Sequence, residues 1–407
     1  MTENLYLCNN MDASNSYKIV FCTPALYSSG GVERVVSFKA NYFAEQLGYD
    51  VTIIVTEGRG RDCYFPLSDK VKVVNFELGF EELWRASFIK KVFLYLTKQR
   101  QYKRLLKAEL MRIRPDITIS MLRREINFLT SIQDGSKKIG ELHVNRANYR
   151  NFEANESNVL KRLFAKLWMR SLVGKLRRLD QLVVLTEKSK ASWPELSNVT
   201  VIPDPIPMTM NQGDRSHDSA QNQGPVPLIR KRVITIGRYA YQKGYDLLLQ
   251  AWAEVEKQYS DWTLDIYGQG DQTSYRELMT NLGIDTERCH LNGSVKDVVS
   301  TYRNASAFVL SSRFEGFGLV LVEAMACGLP VVSFDCPAGP DEIITDGVDG
   351  LLVPSGDVHA LAKKLMSLMA DDELRKRLAK QARQTARRYE MASLANQWIT
   401  LFEKVKG

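Results

Sequence analysis

One pattern begins twice in this chain and limits its fold more than any other feature. A β-rich run leads into a glycine-containing turn and then an amphipathic helix. It occurs first at YKIVFCTPALYSSGGVERVVSFKANYFAEQLG (Tyr17 to Gly48) and again at KRVITIGRYAYQKGYDLLLQAWAEVEKQY (Lys231 to Tyr259). Each copy is followed by a further strand-like run, DVTIIVTEG and WTLDIYGQG. Strands alternating with helices argue for parallel α/β units. CHLNGSV, SAFVLSS, PVVSFD and DGLLVPSG continue the alternation, each a short apolar strand followed by a helix. From Asp371 onward the pattern is helical, with a break near Tyr389. The expected fold is α/β, with two doubly wound, Rossmann-like domains facing each other. Ligands of such sheets bind beyond the carboxyl ends of the strands, so chemistry is expected in the cleft between domains.

The length of 407 residues suits two or three domains and a substantial core. Between the two copies lies MNQGDRSHDSAQNQGPVPL (Met210 to Leu228), whose composition reads as a linker or mobile loop. The expected division is a polar tail over 1–16, an N-terminal domain over 17–209 and the linker over 210–228. A C-terminal domain follows over 229–388. A final helix over 389–407 is expected to pack back on the N-terminal domain.

Charge divides the chain in the same place. Residues 1–204 hold 32 Lys/Arg against 22 Asp/Glu, whereas residues 205–407 hold 23 against 25. Two basic segments account for much of the excess. Phe88 to Arg114 has nine Lys/Arg and one acid, Glu109, with Phe88, Val92, Tyr95, Tyr102, Leu106, Leu110 and Ile113 near one helical stripe. Lys161 to Leu179 has seven Lys/Arg and no acid, with Phe164, Leu167, Trp168 and Leu172 interleaved. Such helices suit an anionic membrane surface, or they turn the apolar stripe to the core and solvate the charges. No recognised nucleic-acid motif accompanies them, and nucleic acid is not an expected partner.

The six cysteines form no CxxC pair and no metal-type spacing with the four histidines, which suggests a reduced, intracellular protein. The first sixteen residues lack the layout of a signal peptide, and no apolar run approaches the roughly 18 residues of a membrane span. A cytoplasmic protein, peripheral on the inner face of the membrane, is expected.

Chemistry-bearing residues cluster in the second half. Arg238 and Lys243 follow its first strand, where two cations suit a diphosphate, although a solvated surface pair is the alternative. In SRFEGFGLVLVEAMACGLPVV (Ser312 to Val332), Gly316 and Gly318 precede an apolar helical run from Leu319 to Ala326. Amides at such a helix start form an anion site. Glu315 lies before that helix and Glu323 within it, so each could take hydroxyls at one end of an extended ligand.

The run GRYAYQKG, IYGQG, NGSV, EGFGLVLVEAMACGLPVV and GPDEIITDGVDGLLV resembles the C-terminal half of a family 4 retaining glycosyltransferase of the GT-B fold, of the type that assembles bacterial polysaccharides and lipid-linked glycans. The spacing of Glu315 and Glu323 matches that family's E-x7-E element, and SSGGVERVV (Ser28 to Val36) resembles its N-terminal glycine loop. The resemblance implies that Arg238 and Lys243 bind the diphosphate of a nucleotide sugar, with UDP the expected nucleotide. It gives Glu315 the hydroxyls of the donor sugar and Glu323 those of the ribose. The amides of Phe317, Gly318 and Leu319 would approach sugar and phosphate, Ser294 and Val295 the nucleobase, and Gly30 and Gly31 the phosphates. His143 in GELHVNRANY would face the donor sugar in a positional and electrostatic role, or simply cap a strand end. The acceptor would be a lipid-linked or cell-surface glycan, with a soluble acceptor or a non-catalytic binding protein as alternatives. No Asp-x-Asp occurs in the chain, and neither a metal nor a cofactor is expected.

Overall fold

The computed structural model describes residues 16–85, 87–147, 159–206 and 230–407. The linker expected over 210–228, and all but the last residue of the tail expected over 1–16, lie outside the described residues.

Two all-parallel sheets carry the fold. The N-terminal sheet contains β1 (Lys18–Cys22), β2 (Asp50–Val55), β3 (Lys72–Asn75), β4 (Ile117–Ser120), β5 (Lys137–Leu142), β6 (Gln181–Val184) and β7 (Val199–Val201), in the order β3-β2-β1-β4-β5-β6-β7. The C-terminal sheet contains β8 (Arg232–Ile236), β9 (Thr263–Tyr267), β10 (Cys289–Asn292), β11 (Ala307–Leu310), β12 (Val331–Asp335) and β13 (Leu351–Pro354), in the order β10-β9-β8-β11-β12-β13. Strands covered on both faces need apolar residues on both, which is why β1 reads KIVFC and β11 reads AFVL, without polar alternation. The order reverses beside β1 in one sheet and beside β8 in the other, so each domain has a crevice where its first strand ends.

The N-terminal sheet is covered by α1 (Gly31–Glu45), α2 (Phe88–Ile113), α3 (Val159–Leu176) and α4 (Glu187–Ala191). The second half contributes α5 (Tyr245–Val255), α6 (Thr273–Leu282), α7 (Val298–Arg303), α8 (Leu319–Ala326), α9 (Pro340–Ile343), α10 (Val358–Ala370), α11 (Asp372–Ala386) and α12 (Met391–Lys406). Helix α12 crosses back to the first domain. Its Met391, Trp398, Leu401, Phe402 and Val405 join the core formed by β1, β2 and α1, with the Phe402 ring 5.7 Å from that of Phe43. On α1, the buried positions Val35, Val36, Lys39, Ala40, Phe43 and Ala44 recur at helical spacing. Lys39 is the exception in that stripe, a lysine where the pattern calls for an apolar side chain.

The two basic helices divide along their length. Tyr102, Leu106 and Leu110 of α2 are buried, so the second half of its stripe faces the core. Its first half instead exposes Val92, Phe93 and Leu96. On α3, Leu172 is buried and Leu167 exposed, whereas the side chain of Phe164 lies outside the described residues. Among the described residues, no helix is long and apolar enough to cross a membrane.

Candidate functional site

Of the expected donor residues of the C-terminal domain, Lys243 and Glu315 meet where β8 and β11 end. The loop after β8 closes in a short 3₁₀ turn, Tyr241–Lys243, and then in Gly244 at φ +61°. A Cβ on Gly244 would lie 2.1 Å from the Ser311 carbonyl oxygen, so glycine is what allows this loop against the end of β11. The close approach brings Lys243 Nζ to 2.7 Å from Glu315 Oε1. Ser312 Oγ donates to the same oxygen at 2.6 Å. Glu315 is thus fixed by a cation and a hydroxyl at the mouth of α8, whose N-cap is Gly318 in the left-handed region. Phe317 and Gly318 are buried, and Leu319 starts the helix. Arg238 is exposed in the loop after β8. Ser294 is exposed and Val295 half-buried in the loop after β10, on the same carboxyl edge of the sheet.

The other half of the cleft comes from the N-terminal domain. Gly30 caps α1, and its lack of a side chain makes room for the Glu33 carboxylate, which would meet a Cβ there at 2.2 Å. Gly31 is exposed with open space where a Cβ would stand, leaving the start of α1 approachable. One turn further, Arg34 reaches across the cleft and pairs with Glu323 Oε1. Tyr302 donates its hydroxyl to Glu323 Oε2 at 3.1 Å. Burial opposes the Arg34 charge, but Glu323 more than offsets it and its guanidinium is raised above the ordinary range. Glu323, which the resemblance gives to the ribose hydroxyls, has both oxygens engaged, one by Arg34 and the other by Tyr302. An arginine one turn into the helix behind a GG turn was the available signal, and the spacing of the two glutamates gave no hint of it.

His143 follows β5 and faces two acids. Nδ1 is 3.3 Å from Asp204, and Nε2 is 3.5 Å from Glu141 Oε1. Burial disfavours the imidazolium, yet Asp204 and Glu141 together outweigh it and raise His143 to about 9. Glu141 also pairs with Lys39. Burial would raise this carboxyl, but Lys39 and then His143 hold it down at about 2. One ligand atom each of Glu141, His143 and Asp204 lie within 4.8 Å of one another, a spacing a metal ion could span. Lys39 and His143 already bring two positive charges to the two carboxylates there. The main chain of His143 has a further task. A Cβ on Gly316 would stand 2.1 Å from the His143 carbonyl oxygen, so the EGFG loop of one domain lies directly on the His143 strand end of the other.

Residues 217–385 match the family model described as glycosyl transferases group 1. The amylovoran biosynthesis glycosyltransferase AmsD of Erwinia amylovora is 28% identical over 395 residues, which are 94% of this chain and 98% of that one. A Campylobacter jejuni α-1,4-N-acetyl-D-galactosaminyltransferase, named for an undecaprenol-diphosphate-linked acceptor, is 28% identical over 96% of this chain and 99% of its own. An exopolysaccharide phosphotransferase of Streptomyces coelicolor is 34% identical over 235 residues, and there the match spans only 24% of the relative's length. Among solved structures, TarM of S. aureus has a TM-score of 0.74 at 16% identity, covering 95% of this chain and 99% of that one. Sucrose-phosphate synthase of Thermosynechococcus elongatus reaches 0.76 at 19%, covering 96% and 99%.

The chain is a GT-B glycosyltransferase. The fold expected from the doubled strand–turn–helix pattern is the one observed, with the two Rossmann-like sheets turned so that their carboxyl edges share a cleft. Further contacts tie the two domains of this glycosyltransferase together beside that cleft. Glu342 on α9 accepts from the Glu187 and Lys188 amides at 2.7 and 2.8 Å, capping the start of α4 with a carboxylate from the opposite domain. Lys188 pairs with Asp341 next to it.

Proposed function

We propose that this glycosyltransferase is a retaining, metal-independent enzyme of family 4 that moves a sugar from a UDP-sugar to a lipid-linked glycan during polysaccharide assembly. The observation that carries the reading is the pair of Lys243 and Glu315 at the carboxyl ends of β8 and β11, with Glu323 on the helix that follows in contact with Arg34 of α1. Lys243, with the exposed Arg238, would take the diphosphate, and Glu315 the sugar hydroxyls. The bond from the anomeric carbon to the diphosphate oxygen breaks as the acceptor hydroxyl forms a new bond on the same face. The hydroxyl's proton passes to the departing phosphate oxygen. Fixed cations aimed at charge that develops on the leaving group lower such a barrier by several kcal/mol. UDP is favoured because solved relatives of this fold were crystallised with it, TarM and the Anabaena protein HepE among them.

The lipid side rests on α2 and α3. Phe93 is 69% exposed and Leu167 60%, and basic side chains surround both. Tyr95 of α2 and Lys175 of α3 both contact Asn127, so the helices flank one turn of the first domain. Apolar side chains ringed by Lys and Arg suit an anionic bilayer on the cytoplasmic side, with the protein peripheral.

The test is the full chain with a panel of nucleotide sugars against lipid-linked and soluble acceptors, with and without EDTA. The reading expects transfer from a UDP-sugar to a lipid-linked acceptor, an axial-to-axial or equatorial-to-equatorial product by NMR, and no loss in EDTA. Inverted product, EDTA sensitivity or transfer only to soluble acceptors would each overturn the corresponding clause.

A further inference from the structure

We propose that Glu141 and Asp204 keep His143 as an imidazolium cation in the wall of the cleft, and that Lys39 is a positioning residue that fixes Glu141 beside it. The inference rests on that cleft being the site of transfer.

Lys39 is the key to it. A lysine on the buried stripe of α1, fully shielded from solvent, is costly unless it is paired. It is enclosed by the Phe21 ring at 5.8 Å and the Trp398 ring at 4.5 Å, and its ammonium lies on Glu141. Trp398 belongs to α12, so the helix that crosses back from the second domain roofs this lysine. Glu141 in turn presents Oε1 to His143, and Asp204 faces the other ring nitrogen.

Two carboxylates and two cations make a neutral set. A neutral imidazole would leave one negative charge in excess inside the protein, so the proton belongs on His143. From the C-terminal domain, the loop of Glu315 packs on the His143 carbonyl, but Glu315 itself is held by Lys243 and Ser312. No further acid or base among the described residues is paired with the ring. An imidazole carrying both protons and facing a carboxylate at each nitrogen is not a proton acceptor. It acts through its charge and by holding the strand end against which Gly316 rests.

The experiment is imidazole NMR on the full chain across pH, which needs no turnover and so stands or falls apart from the proposed reaction. Four histidines give four titrations, His143, His217, His290 and His359. One resonance should stay protonated at pH 8, titrate near 9 and vanish in His143→Gln. Four titrations near the ordinary value of about 6.5 would overturn the proposal. In Glu141→Gln the His143 titration should move down, because a carboxylate beside it is gone. In Lys39→Met it should stay or move up, because a competing cation is gone. A purely structural role would lower Tm in both variants and leave the His143 titration of Glu141→Gln unmoved.

Turnover adds a second readout. Lys39→Met should lower kcat about ten- to a hundred-fold with donor KM within about threefold, as expected when a group is misplaced rather than removed. Lys39→Arg should recover part of it. Mn²⁺ or Mg²⁺ that broadens or shifts the His143 resonance at sub-millimolar concentration would make the cluster a metal site instead, and the proposal would fall.

Discussion

The two walls of the cleft are built in opposite ways. On the C-terminal side, Lys243 and Glu315 come from the segments that follow adjacent strands and Glu323 from helix α8, and glycines set the approach of the loops. On the N-terminal side, Lys39, Glu141, His143 and Asp204 come from a helix, a strand, its end and the approach to the second domain. The first wall also pairs its acids, Glu315 with Lys243 and Glu323 with Arg34, but it keeps Arg238 exposed. The second buries its charges in mutually neutralising pairs and exposes little beyond a histidine edge. A site of the first kind is tuned by what binds it, whereas one of the second is tuned by what packs behind it.

Substitutions on the two walls should therefore fail differently. Arg238→Ala should give the largest loss, about a thousandfold in kcat with unchanged Tm, since an exposed cation supports charge on the leaving group without supporting the fold. Steady-state kinetics with a saturating donor, alongside a melting curve, checks it. Kinetics within threefold of the parent enzyme would remove Arg238 from the diphosphate role.

Gly316→Ala tests whether the walls must touch. Its Cβ would meet the His143 carbonyl, which is backbone and cannot rotate aside. The domains should separate slightly at this edge, and kcat/KM should fall about a hundredfold through misalignment. Small-angle scattering should show a larger radius of gyration than that of the parent chain. An unchanged radius together with unchanged kinetics would mean that the contact is incidental to closure.

What could be read in the sequence follows the same division. The meeting of Lys243 and Glu315 on the C-terminal wall was legible because both sit in motifs with a fixed order of glycines and charged residues, one after β8 and the other after β11. Lys39 and Asp204 carried no such signal. Each lies in a segment whose pattern is an ordinary helix or loop, and they meet only because β5 and β7 are in one sheet with α1 across it. Arg34 illustrates the limit most sharply. It stands inside the quoted glycine motif, yet its partner Glu323 lies 289 residues away and becomes a neighbour only when the domains close. The basic helices were legible as amphipathic, but which part of the stripe faces the core depends on where the sheet ends beneath α2.

Arg34→Ala sharpens the comparison by unlocking one wall from the other. With Glu323 in the ribose role that the resemblance implies, a donor would have to displace the guanidinium, and part of its binding free energy would be spent on that exchange. Removing Arg34 should tighten UDP binding by about tenfold, equivalent to ~1.4 kcal/mol, measured by calorimetry. Weaker binding would instead make Arg34 a ligand of the nucleotide. Glu323→Gln in the Arg34→Ala background checks the ribose contact itself, because it should weaken UDP binding there as well.

The smallest effect on the fold is expected at the surface of α2. Phe93→Ser removes the most exposed of its described apolar side chains, and Tm should move by less than about 1 °C, since surface changes stay within about 0.5 kcal/mol. Sedimentation with vesicles of phosphatidylserine and phosphatidylcholine at low salt should nevertheless detect it. Burying a phenylalanine side chain in the interface contributes about 1.5–3 kcal/mol, so retention should drop about ten- to a hundred-fold in affinity. The same substitution should leave transfer to a water-soluble acceptor analogue unchanged, because α2 contributes no residue to either wall of the cleft. Parent-level retention by Phe93→Ser would mean that the basic face, without its apolar centre, is what vesicles meet, and raising the salt to 0.5 M would then abolish binding altogether.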